Sequence, residues 1–171
     1  MVKIFLSFVV MGTNVSAGIL LYRIKEGRVE VLLVHPGGPY FKGKDLGHWS
    51  VPKGLVNEAE DMLDAAKREF FEELGQELNA ETFVALKPVK QKGGKWVYVW
   101  IAEGDADTSR IKSNTFRMEY PYKSGKWIEV PEIDAARWFP VEEAKQKINA
   151  AQSVLVDELL KILSHEKDQT E

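Results

Sequence analysis

The stretch GLVNEAEDMLDAAKREFFEELGQ, residues 54–76, decides how this chain is read. Its second half sets Glu69, Glu72 and Glu73 within five residues, with Arg68 directly before the first. At roughly 100° per helical residue the three carboxylates share an arc of about 100°, and Leu63, Phe70 and Leu74 cluster on a neighbouring face. That apolar stripe fixes the helix against a core. The pattern predicts a helix over 58–74, stopped by Gly75. The acidic arc is the puzzle. Like charges at i, i+3 and i+4 repel, and no Lys or Arg follows at a spacing that would pair Glu72 or Glu73. The arc is either a solvated helix face or a site that needs concentrated negative charge.

Composition limits the chemistry available to such a site. The chain has 171 residues, 44% hydrophobic and 29% charged, in keeping with a globular protein that builds its core without disulfides. It holds no cysteine, which excludes thiol nucleophiles and Cys-ligated zinc. His35, His48 and His165 are its three histidines, and no pair has metal-ligand spacing. Any metal site must therefore use oxygen ligands, which suits magnesium, manganese or calcium. The net charge of -3 argues against binding nucleic-acid polymers. Two basic zones stand out: Lys87, Lys90, Lys92 and Lys95 without an acid among them, then Arg110, Lys112, Arg117, Lys123 and Lys126 with Glu119 alone. They are either solvated loops or a positive rim for a polyanionic small molecule.

Outward from the acidic helix, the chain alternates strands and helices with no repeats or convincing linkers. Residues 16–24 and 29–35 are β-rich runs around a hairpin signal at Lys25-Glu26-Gly27-Arg28. The Gly/Pro-rich segment 36–47 is a loop exposing Tyr40 and Phe41, and residues 48–54, HWSVPKG, form a short strand ending at Pro52 and Gly54. Two further strands, 81–89 and 95–103, flank KQKGG, and an irregular stretch follows. Residues 135–140 form a late strand from which Pro140 opens a helix over 141–148. A last amphipathic helix over 153–163 buries Leu155, Leu159, Ile162 and Leu163, and the tail 165–171 frays. Trp49 and Trp138 are expected in the core. Residues 1–18, with one Lys, a short apolar run and Val15-Ser16-Ala17, loosely imitate a signal peptide, yet the apolar run is too short to span a bilayer. A first strand, or a true start at Met11, is the alternative. We expect one mixed α/β domain over 1–171, with 1–12 and 165–171 peripheral.

The spacing settles the puzzle. Gly54 is followed after five residues by Glu60, then after seven by Arg68-Glu69, an apolar Phe70, Glu72-Glu73 and Gly75. This resembles the Nudix box, Gly-x5-Glu-x7-Arg-Glu-U-x-Glu-Glu-x-Gly-U, where U is bulky and apolar. Every charged and glycine position matches. Gln76 stands where the last apolar residue is expected, and Leu78 is positioned to supply that packing. Nearly the whole chain looks like a Nudix domain, which implies an α/β/α sandwich around a mixed β-sheet.

The resemblance implies hydrolysis of nucleoside diphosphates linked to another group, with Mg2+ or Mn2+ as cofactor. It places the metals on Glu69, Glu72 and Glu73, with Glu69 or Glu73 acting as or orienting the general base. Arg68 would clamp a box glutamate, Glu60 would be a secondary acid, and Gly54 would provide a turn that brings its peptide to the metal. A further acid usually precedes the late tryptophan. Glu132 is the first candidate for it, ahead of Glu119 and Glu129. The segment WSVPKG is similar to diadenosine polyphosphate hydrolases, with Lys53 placed to hold a phosphate oxygen. His35, Lys42, Lys44, Lys90, Lys92 and Arg117 are further cations for a long polyphosphate. Tyr40, Phe41, Tyr120 and Tyr122 either stack on a base or pack. Dinucleoside polyphosphates lead the substrate readings. The alternatives are nucleoside triphosphates, including oxidised ones, or diphosphoinositol-type compounds. A non-catalytic binding module fits less well, because every box acid is kept. The protein is expected to be cytoplasmic, a monomer or homodimer, with no membrane association.

Overall fold

The computed structural model describes residues 14–168, so the readings of 1–12 and of the last three residues lie outside it. Twelve elements follow one another as β1 (Val15–Lys25), β2 (Arg28–Pro36), β3 (Lys53–Leu55), α1 (Met62–Leu74), β4 (Val84–Ala85), β5 (Val89–Lys90), β6 (Trp96–Glu103), β7 (Thr115–Glu119), β8 (Trp127–Pro131), β9 (Ile133–Pro140), α2 (Val141–Lys147) and α3 (Ser153–Asp168). Seven strands form one mixed sheet with the path β4-β6-β1-β2-β9, while β3 pairs with β1 and β5 with β6. The contact of β1 with β6 is parallel and the others are antiparallel. Central β1 is apolar on both faces, as a strand covered on both sides must be.

Period-2 alternation sends the two faces of β1 and β2 into different cores. Leu20, Tyr22, Val31 and Leu33 meet Leu155, Val156 and Leu159 of α3 and Ala144 of α2. Ile19, Leu21, Leu32 and Val34 meet Ala65, Ala66, Phe70 and Leu74 of α1. Helices cover both faces, which is the expected α/β/α sandwich. Phe70 is fully buried, and burying a side chain of that size contributes about 1.5–3 kcal/mol. Gln152, also fully buried, accepts the amide of Val51 and ties the start of α3 to the segment entering β3.

Several boundaries differ from those expected. Helix α1 begins at Met62 rather than 58, because the Asp61 carboxylate caps the amides of Leu63 (2.9 Å) and Asp64 (3.1 Å) and Glu60 is held by Arg68. Its C-terminus is as expected, with Gly75 at φ 70° in the left-handed region. The strand 81–89 is two short pieces, β4 and β5, interrupted around Pro88, which has no N–H to give a ladder. The strand expected before Gly54 instead starts at Lys53. Trp49 and Ser50 make only isolated bridges to Ile148 and Val34. The supposedly irregular stretch contains a two-stranded sheet, β7–β8. Helix α3 continues through residues 165–168, which were expected to fray. Trp49 is buried as expected, whereas Trp138 is half-exposed under the Arg23 guanidinium, 4.1 Å from its ring centre. No helix among the described residues is long and apolar enough to cross a membrane.

The cap supplies a first prediction. Asp61→Ala should cost about 1 kcal/mol and lower the melting temperature by roughly 2–5 °C, measured by thermal unfolding. An unchanged melting temperature would contradict the capping role.

Candidate active site

The box residues gather where α1 crosses β3. Arg68 is the hub. Its Nε donates to Glu60 Oε1 (2.7 Å) and its Nη2 to Glu60 Oε2 (2.9 Å), a two-pronged grip. Nη1 donates to Glu69 Oε1 (2.7 Å) and Glu72 Oε1 (3.2 Å), and Nη2 also reaches the Leu55 carbonyl (2.9 Å). These bonds hold Glu60 below the usual carboxylate range. Glu60 thus sits in the loop before α1, returns to the Asn57 amide, and braces Arg68.

Glu69 and Glu73 point inward from α1, 8% and 7% exposed. Burial pushes both carboxyls up, Glu73 to about 8, against the pull of Lys53 on Glu73 and of Arg68 on Glu69. Glu132, at the β8–β9 junction, lies within electrostatic reach of both and adds to the upward push. The Lys53 amide donates to Glu73 Oε2 (3.2 Å). Gly54 is an extended residue of β3, paired with Ala17, and not the turn that was expected. Its role is space: a Cβ there would lie 1.9 Å from Glu69 Oε2. Gly75 makes a second close approach, against Lys112.

Backbone hydrogen bonds place Glu132. The Lys112 amide bonds to the Leu74 carbonyl, Asn114 to Glu72, Glu132 to Asn114, and Gly37 to Glu132. The end of α1, the β7–β8 sheet and the loop after β2 are thereby joined around one carboxylate. Glu119 and Glu129, the weaker candidates, are engaged inside the hairpin, by the Gly125 amide and the Thr115 hydroxyl. Among the described residues no three acidic or histidine side chains stand close enough to enclose a metal as they are. Three of the box acids, Glu60, Glu69 and Glu72, are ion-paired with Arg68.

Of the residues proposed for substrate, Lys53 lies at the acidic site, and the others lie in the loop after β2 and on β7. Tyr40 and Phe41 are exposed in the loop 37–47, and Tyr40 packs edge-on to Tyr120 at 5.4 Å between ring centres. Lys42 in that loop and Arg117 on β7 are exposed and form no ion pair among the described residues; the Arg117 guanidinium lies 5.9 Å from the Trp127 ring centre. Tyr122 stands at the hairpin tip, 74% exposed. His35 is not available to a phosphate, because it is buried with both ring nitrogens engaged. Gln76, the departure from the box, exchanges two hydrogen bonds with the Asp107 backbone, while Leu78 packs in the α1 core as anticipated. Lys95, expected only as part of the basic rim, lies beside the acidic site. Burial holds its ammonium below the usual lysine range, the neighbouring Lys53 adds to this, and Glu69 opposes it. The available signal was its position just before Trp96, which pairs with β1 one strand away from β3.

A family model of the NUDIX domain matches residues 12–159. The chain belongs to the Nudix family. Among curated Nudix relatives it is 27% identical over 142 residues to the 8-oxo-dGDP phosphatase NUDT18 of Danio rerio, covering 74% of this chain and 41% of that protein. It is 30% identical over 118 residues to Nudix hydrolase 5 of Arabidopsis thaliana, covering 67% of this chain and 33% of that protein. The chain thus spans less than half the length of either. Among solved structures, the Ap4A hydrolase binary complex of C. elegans superposes with a TM-score of 0.63 at 24% identity, over 89% of this chain and 98% of that one. The NUDIX domain of Shewanella oneidensis NrtR, solved with ADP ribose, gives 0.58 at 14%, over 90% of both chains. At these identities the superpositions establish the Nudix fold alone.

Proposed function

We propose that this protein is a divalent-metal-dependent hydrolase of compounds that join a nucleoside diphosphate to another group, with dinucleoside polyphosphates as the preferred class. Glu73 carries the reading. A carboxyl 7% exposed, pushed up to about 8 by burial and faced by Glu69 and Glu132, is costly to the fold. A bound cation turns that cost into affinity. The donor set is all oxygen and excessively negative, which fits Mg2+ or Mn2+. When bound, the metal neutralises the phosphates and acidifies a water for attack.

The side chains divide the remaining work. Glu69, Glu72, Glu73 and Glu132, with the Gly54 peptide, would hold the cations. Arg68, braced by Glu60, sets the direction of Glu69 and Glu72. Lys53 and Lys95 receive phosphate oxygens, Lys42 and Arg117 meet the more distant phosphates, and Tyr40 and Phe41 stack on the base. The Pro-Lys-Gly segment at Lys53 and the supply of cations favour a long polyphosphate.

A second reading has its own support. The Danio rerio relative is named as an 8-oxo-dGDP phosphatase, which brings oxidised nucleoside diphosphates into the substrate set. Purified protein in Mg2+ should be offered dinucleoside polyphosphates, oxidised and normal nucleoside di- and triphosphates, and nucleotide sugars, with products separated by chromatography. We expect kcat/KM for dinucleoside polyphosphates to exceed the others by about 10-fold or more, equivalent to about 1.4 kcal/mol of transition-state binding. Faster turnover of oxidised nucleotides selects the second reading. No hydrolysis in Mg2+ or Mn2+ ends the enzyme reading.

A further inference from the structure

The loop 37–47 has firm ends and a conditional middle. The Gly37 amide bonds to the Glu132 carbonyl, and the Gly47 and Trp49 amides bond to the Gln146 and Lys147 carbonyls. Asp45 is fixed by the Trp49 indole N–H and the Lys147 ammonium. Between these ends, His35, at the end of β2 and 6% exposed, reaches the loop from the sheet. Its Nδ1 lies 2.7 Å from Asp134 Oδ1 of β9, and its Nε2 lies 2.7 Å from the Lys44 carbonyl.

Both partners are acceptors. A carbonyl oxygen has no hydrogen to give, nor has a carboxylate, so each contact requires an N–H from the ring. The neutral imidazole has one and the imidazolium has two. We propose that His35 is a positioning residue whose charged form fastens the loop carrying Tyr40, Phe41 and Lys42, by donating to Asp134 and to the Lys44 carbonyl at once. The proposal rests on the reading of that loop as part of the substrate site. When the ring loses a proton, the remaining N–H stays with Asp134, because the charge-assisted bond is the stronger. A bare ring nitrogen then faces the Lys44 carbonyl, and the loop loses its His35 tie to β2 while keeping the amide bonds of Phe41 to Gly38 and of Lys44 to Phe41 and the Tyr40–Tyr120 contact.

The surroundings favour this arrangement. Asp134 is the carboxylate in contact with the ring. The Trp49 ring meets His35 edge-on at 5.2 Å, with the Arg137 guanidinium 5.8 Å from the Trp49 ring centre. The Lys44 ammonium lies 5.8 Å from the Phe41 ring centre, and Asp45 and Lys147 are paired with each other.

The test combines three measurements between pH 5.5 and 8.5, on wild type, Asp134→Asn and His35→Gln. Nitrogen-15 NMR of the imidazole reports ring protonation, and hydrogen exchange, corrected for the intrinsic rate, reports protection of amides 38–44 in the metal-free protein. KM and kcat are followed in Mg2+ on whichever nucleotide is hydrolysed. In wild type, loop protection should fall by about 10-fold as the ring loses its second proton. KM should rise by roughly 5- to 10-fold over the same interval, with kcat within about 2-fold. Asp134→Asn should change the pH response of loop protection, and His35→Gln should give low, pH-independent protection with the raised KM throughout. Loop protection that ignores ring deprotonation overturns the proposal, as do variants that behave like wild type. A protein that hydrolyses no nucleotide defeats the functional reading, while the NMR and exchange results still decide the role of His35.

Discussion

Glu73→Gln should remove Mg2+-dependent turnover, by roughly 10²–10⁴-fold, while making the metal-free protein more stable. In the folded chain burial keeps the Glu73 proton on up to about 8, compared with an ordinary value of 4.5. Between those two values the folded state binds more protons than the unfolded one, so stability falls as pH rises through that window. Below it the carboxyl is neutral in both states and the substitution gains little. Above it the wild type carries the whole cost of a buried charge, on the order of 3–5 kcal/mol, which the neutral amide avoids. Thermal unfolding in chelator at pH 5 and pH 8.5 tests this: the variant should melt well above wild type at the higher pH and close to it at the lower. Mg2+ should then reverse the order at pH 8.5, since only wild type gains from binding. A melting difference that is the same at both pH values would remove the burial argument.

Replacing Arg68 by lysine should be nearly as damaging, though the charge is kept. One ammonium cannot reproduce the two-pronged grip on Glu60 and the contacts with Glu69, Glu72 and the Leu55 carbonyl. Breaking a fully buried pair costs about 3–5 kcal/mol. The Arg68 side chain is 29% exposed, so we expect about 2–3 kcal/mol after solvent screening. Glu69 and Glu72 would lose their fixed direction, with a fall in kcat of roughly 10²-fold. Urea unfolding and steady-state kinetics measure the two effects separately. A lysine variant within twofold of wild type in kcat and equal in unfolding midpoint would show that the grip does not matter.

The acidic helix was legible because two independent signals coincide there: an apolar stripe of period 3.6 ending in Phe70 and Leu74, and fixed distances back to Glu60 and Gly54. Its start was misread because residues 58–61 look helical by composition, while Asp61 and Glu60 spend their carboxylates on a cap and on Arg68. The β7–β8 sheet was missed for a different reason. Phe116 and Met118 alternate with Arg117 and Glu119, but the sheet is short and largely exposed, so no strong apolar run marks it. Glu132 was singled out by its distance from Trp138, and it lies within electrostatic reach of Glu69 and Glu73. The contacts of His35 with Lys44 and Asp134 were beyond reach, because the second joins residues 99 apart in the chain. Lys95 comes to Lys53 and Glu69 only through the order of strands in the sheet.

The amide of Glu132 bonds to the carbonyl of Asn114 at 2.8 Å, closing the base of everything between them. The β7–β8 arm is therefore a cassette with its two ends already joined. Strands β7 and β8 pair with each other and lend nothing to the seven-stranded sheet. Loop-closure entropy changes only slowly with length, so arms of other lengths and compositions can be exchanged at this point without rebuilding α1. The length and composition of the arm can therefore vary independently of the box spacing.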